Sequence, residues 1–172
     1  IIPAYQRPYE WGEKEINGLT NTIYAKFCDY LENEENAQFL MFGILQFGKS
    51  ENHSLSIIDG HQRITTFYIL KSILAEKLGK ENNLPKVINQ INNVDIVNAI
   101  NDKSTNYGKN KELLDKFVSG IEKENLESFK GFIDKKILFV SIFVSETASI
   151  STLLEIFDSI NTTGLKLDVK DI

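Results

Sequence analysis

Leu55-Ser56-Ile57-Ile58-Asp59-Gly60-His61-Gln62-Arg63-Ile64-Thr65-Thr66 is the stretch that decides the fold. Residues 55–58 are mostly apolar, with two isoleucines, which suits a short strand. Asp59-Gly60 breaks it, and Ile64 to Leu78 then reads as a helix with apolar residues on most sides, as expected of a helix running through the middle of a domain. A strand, a tight glycine turn and a helix start together aim backbone N–H groups and the positive end of the helix dipole at one spot. That arrangement binds phosphate.

Arg63 sharpens the reading. Of the nineteen basic residues only Arg7 and Arg63 are arginine, and both follow a glutamine. Arginine kept at two matching sites in a lysine-rich chain points to the planar five-donor guanidinium, which grips phosphate or carboxylate in a fork that lysine cannot form. One polyanionic ligand would explain both, so Arg7 and Arg63 are expected on one cleft. The competing explanation is that each arginine is a local structural ion pair.

Working outward, Glu13 to Leu31 places Ile16, Leu19, Ile23, Phe27 and Leu31 at helical spacing behind an acidic first turn. Residues 32–38 read as a loop and 39–47 as a strand, joined through a hairpin loop at 48–54 to the strand at 55–58. Residues 79–136 read as an insertion of several peripheral helices with a flexible link around 101–110. The nearly unbroken apolar run from Ile137 to Val144 reads as a strand covered on both faces, at the centre of the sheet. A helix follows, with Thr152 and Glu155 as a capping box, Gly164 as its C-cap and Asp168 as the N-cap of another helix. The fold class expected is α/β (α+β): a mixed sheet core with a peripheral helical region, over one domain spanning 1–172.

Net charge is −5 and the pI near 5.1, which argues against a protein that coats nucleic acid through a broad basic surface. No apolar run is long enough for a membrane span, and no signal peptide is expected. Cys28 is the single cysteine and falls in an apolar helical pattern, the setting of a buried inert thiol, so a cytoplasmic location is expected. The chain starts without methionine and stops at an expected helix start, as a piece of a longer protein would.

No Walker-type loop or dinucleotide-binding glycine triplet is present. One cysteine and two histidines, His53 and His61, cannot build a Cys/His metal site or a His-Asn-His nuclease centre. Two polar clusters remain. In the first, Asp59 can hold a divalent cation or orient a water, and Gly60 permits close backbone approach. Gln62 adds an amide, Arg63 a phosphate clamp, and Thr65 and Thr66 hydroxyls; nucleotide phosphates suit these groups. Alternatively, Asp59 and Thr65 only cap the helix and Arg63 pairs with a local carboxylate. The second cluster, Gln6 and Arg7 among Tyr5, Tyr9 and Trp11, either stacks a base or forms a hydrophobic plug.

Ile2 to Trp11, the turn from Asp59 to Thr66, and the segment 157–171 with Asn161, Gly164, Leu167 and Asp171 together resemble the N-terminal domain of GmrSD-type modification-dependent restriction systems. The resemblance covers the chain, with 79–136 as a variable helical region. The family signature is Asp-Gly-Gln-Gln-Arg, and here His61 replaces its first glutamine. The resemblance implies a ParB- or sulfiredoxin-like core that binds and hydrolyses a nucleoside triphosphate with Mg2+. It also implies control of an HNH-type nuclease, C-terminal or in a partner, acting on modified phage DNA. By the same resemblance Asp59 and Gln62 are catalytic candidates, and Gly60, His61, Arg63, Thr65, Thr66, Gln6 and Arg7 nucleotide-binding ones. A non-catalytic DNA-binding or protein-interaction module on the same fold is the competing function.

Overall fold

The computed structural model describes residues 8–49, 55–80, 90–91, 94–144, 151–152 and 155. The expectations for Tyr5, Gln6, Arg7 and His53, and for most of the helix after residue 150 with its flanking caps, lie outside these residues.

Helix α1 (Glu13–Glu32) buries Ile16, Thr20, Ile23, Phe27 and Tyr30, one stripe at spacings of three and four. Its start is fixed by the Glu15 carboxylate, which accepts the Gly12 backbone N–H at 3.0 Å. Strands β1 (Leu40–Lys49) and β2 (Leu55–Asp59) pair antiparallel. Helix α2 (His61–Lys77) leaves β2 after a single residue, Gly60. Two-residue strands β3 (Gln90–Ile91) and β4 (Val94–Asp95) pair with each other and lead into the short helix α3 (Ile96–Ala99). Helices α4 (Asn106–Ser119) and α5 (Leu126–Lys136) follow, and strand β5 (Ile137–Val144) returns parallel to β1. The mixed sheet of order β2-β1-β5 with packed helices is the α/β class expected.

Three expectations need correction. First, α2 begins at His61, not Ile64. Gly60 has φ 92°, a left-handed conformation that reverses the chain in one residue, so the helix needs no longer turn. Second, residues 79–136 are more than a peripheral layer. Leu114, Val118, Phe129 and Phe132 are fully buried and share one core cluster with α1 and α2; Phe27 meets Phe129 edge-on at 4.9 Å. Nor is 101–110 a loose link, since Thr105 caps α4 by accepting the Gly108 N–H and Asp102 accepts from Ser104. Third, β5 lies at the edge of the described sheet and β1 at its centre. Phe139 packs on Phe42 and Phe67, but Leu138, Val140 and Phe143 are exposed. An unbroken apolar run has the same sequence whether one face or both are covered.

The candidate site follows from this topology. Gly60 joins the last residue of β2 to the first turn of α2, against β1. A methyl group built on Gly60 would lie 2.5 Å from Leu45 Cδ2 and 2.9 Å from the Ile44 carbonyl oxygen, so the turn is closed onto the central strand.

Candidate functional site at the strand-to-helix junction

Because α2 starts at His61, the polar residues of the motif divide between two faces of its first turns. His61, Gln62, Thr65 and Thr66 point into the molecule at 8% exposure or less, whereas Asp59 and Arg63 keep 22% and 28% of their side chains open. Asp59 ends β2, and Arg63 stands four residues on; Arg63 Nη2 donates to Asp59 Oδ2 at 3.0 Å. The guanidinium lies over the backbone of β1 at Gly43. A methyl group there would sit 2.5 Å from Arg63 Nη1, and Gly43 has φ 127°, which a side chain would strain. Gly43 therefore belongs to the site. Sequence reasoning missed it because a glycine inside a strand shows no partner until the helix is laid across it.

Gln62 does different work. Its Oε1 accepts the backbone N–H groups of Glu10 at 2.9 Å and Trp11 at 3.2 Å, and its Nε2 donates to the Pro8 carbonyl at 2.7 Å. The second Nε2 hydrogen goes to His61 Nε2 at 2.9 Å, so that nitrogen is the acceptor and His61 is the neutral tautomer protonated on Nδ1. All four hydrogen-bonding positions of the amide are taken. Gln62 thus has no free group for a ligand in this conformation, and it ties the two sequence motifs together.

A buried chain continues this tie. Thr66 Oγ1 donates to the Gln62 carbonyl at 2.9 Å, so Tyr9 must donate its hydroxyl proton to Thr66 Oγ1 at 2.7 Å. Asn110 Nδ2 donates to that Tyr9 hydroxyl at 2.9 Å and to the Trp11 carbonyl at 2.7 Å, while Asn106 Nδ2 reaches the Tyr9 carbonyl. Burial pushes the Tyr9 hydroxyl above its ordinary 10.0, against the downward pull of its bonds to Thr66 and Asn110. Tyr9 is 3% exposed with its ring 4.7 Å from that of Tyr107, so in this conformation its ring is packed in the interior and not open to a base. Trp11 lines a separate groove of about 390 Å³ with Lys14, Leu19, Met41 and Phe42. Asn106 and Asn110 carried no signal in the sequence, because their partners lie about a hundred residues away.

Thr66 is likewise committed to the interior, and Thr65 is fully enclosed. The open part of the junction is therefore a carboxylate and a guanidinium side by side, over a strand thinned by Gly43 and beside a helix N-terminus. Among the described residues no three His, Cys, Asp or Glu side chains gather as a metal site, and no helix is long and apolar enough to cross a membrane.

An α/β domain with an arginine–aspartate pair at a strand–glycine–helix junction, its N-terminal segment strapped to that helix, is the class defined by this geometry. Residues 1–172 match the family model of the GmrSD restriction endonuclease N-terminal domain, and the chain belongs to that family. The match ties the domain to restriction systems. No curated protein matches the chain significantly.

Proposed function

We propose that the junction of β2 and α2 binds and hydrolyses a nucleoside triphosphate, and that this event gates a nuclease acting on modified phage DNA in an anti-phage restriction protein. The observation that carries the reading is the half-open Arg63–Asp59 pair over Gly43, at the first turn of a helix entered through left-handed Gly60. Arg63 turns its fork to the phosphates, and the N-terminal N–H groups of α2 favour the same negative charge. Asp59, released from Arg63, orients the attacking water or holds Mg2+. A lone carboxylate fits Mg2+ only jointly with phosphate oxygens, which is the ion's usual mode; bound there, it would neutralise charge on the phosphates. Gln62 acts in this reading as a positioning residue, holding the backbone of Pro8, Glu10 and Trp11.

The test is calorimetric titration of the full-length protein with GTP, UTP, CTP and ATP in the presence of magnesium, beside steady-state phosphate release. Arg63→Ala weakens binding by about ten- to a hundredfold, the loss of a charge-assisted hydrogen bond of about 1.5–3 kcal/mol. Asp59→Asn lowers turnover much more than affinity. His61→Gln, which restores the family's usual residue, preserves or raises activity. If the wild-type protein binds none of the four nucleotides, the proposal fails and a DNA-binding or protein-interaction module takes its place.

A further inference from the structure

Phe143 stands near the end of β5 with 64% of its surface open, the most exposed of the large apolar residues among those described. Its ring lies 5.4 Å from that of Phe47 with 20° between the planes, an offset stack that fixes its orientation while leaving it broadly open. The stack lies on the face of the sheet that α2 covers. Phe139, four residues earlier in the same strand, packs on Phe67 of α2, and alternate residues of a strand share a face. Phe47 likewise packs against the cluster of Ile57 and Tyr68, as does Ile64, the neighbour of Arg63. In register, Phe143 pairs with Phe47 and Phe47 with Ile57, two residues before Asp59. Two strand spacings, on the order of 10 Å, therefore separate the position of Phe143 from β2.

We infer that Phe143 is the base-stacking platform of the junction, taking the nucleobase of a nucleotide whose phosphates lie at Arg63. The inference deepens the nucleotide reading and rests on it. A phosphate clamp alone leaves the base unheld, and an extended nucleoside triphosphate bridges the distance between the clamp and this ring. Phe47 and Phe143 stand near the carboxyl ends of the parallel strands β1 and β5, where open α/β sheets take ligands. Of the described aromatic candidates at the N-terminus, Tyr9 is packed in the interior and Trp11 lines a groove beside α1. A phenylalanine ring has no hydrogen-bonding group, so it accepts any base by its π-face and favours the larger purines through stacking strength alone.

The experiment measures calorimetrically the binding of ATP, GTP, CTP, UTP and inorganic tripolyphosphate, each with magnesium, to the full-length wild type and to Phe143→Ala, Phe143→Trp and Arg63→Ala. Thermal melts check each fold, and Phe143→Leu, which also lacks a π-face, replaces Phe143→Ala should the latter fail to fold. Phe143→Ala weakens all four nucleotides by about tenfold, the purines most, and leaves tripolyphosphate binding unchanged. Phe143→Trp retains or tightens nucleotide binding, whereas Arg63→Ala weakens nucleotides and tripolyphosphate alike. If Phe143→Ala binds nucleotides as the wild type does, or loses tripolyphosphate equally, the platform is overturned and the phosphate clamp stands; Phe143 is then a protein-partner contact or a bystander. A wild type that binds neither nucleotide nor tripolyphosphate overturns the nucleotide reading itself, and the platform with it.

Discussion

Replacing Gln62 with methionine keeps the volume of the side chain and removes all four of its hydrogen bonds. Three of these hold backbone groups of the N-terminal segment: the N–H groups of Glu10 and Trp11 and the carbonyl of Pro8. The net value of one such bond is about 0.5–1.5 kcal/mol, so the three together place the loss at about 2–4 kcal/mol. The upper end applies if the segment stays docked with its polar groups unpaired, the lower end if it peels away and recovers water. Trp11 is the chain's single tryptophan, so its fluorescence reports on this segment directly. The expected result is a lowered urea midpoint with Trp11 emission shifted toward that of exposed indole before the main transition, and faster hydrogen exchange at the Glu10 and Trp11 amides. A variant with native stability, native emission and unchanged exchange at those two amides would refute the strap, and with it the assignment of Gln62 as a positioning residue.

Gly43→Ala should cost about 1–3 kcal/mol from its left-handed backbone, and the methyl group should push Arg63 off the strand, so anion binding and stability fall together in calorimetry and thermal melts. Tyr9 is held neutral by burial, with its ionisation raised above 10.0. Its contribution is therefore full below about pH 10 and is lost as pH rises through the folded-state value, and Tyr9→Phe should flatten the alkaline limb of the stability profile while lowering stability at neutral pH. Asp134 behaves in the opposite sense: burial pulls its carboxyl up, but hydrogen bonds from Lys130 and Lys71 outweigh this and hold it below 3.8. Its stabilisation is present at neutral pH and lost as pH falls from about 4 through the folded-state value, so Asp134→Asn should reduce the acid dependence measured by urea unfolding across pH.

The sequence by itself determined the local elements and their chemistry. The spacing of Ile16, Ile23 and Phe27 fixed α1, the apolar runs fixed the three main strands, and Asp59-Gly60 fixed the junction, because periodicity and turn propensity are properties of near neighbours. It also singled out Arg63 through its rarity and Asp59 through its place at a strand end. What it could not settle was which side of α2 each motif residue faces. That depends on the left-handed Gly60, which starts the helix at His61 and turns Gln62, Thr65 and Thr66 inward while leaving Asp59 and Arg63 half open. Tertiary structure alone brought Asn106 and Asn110 to Tyr9 and Trp11, laid Arg63 across Gly43 and placed β5 at the edge of the described sheet. Each joins segments distant in sequence, and neither local pattern nor composition records how a folded chain brings such segments together.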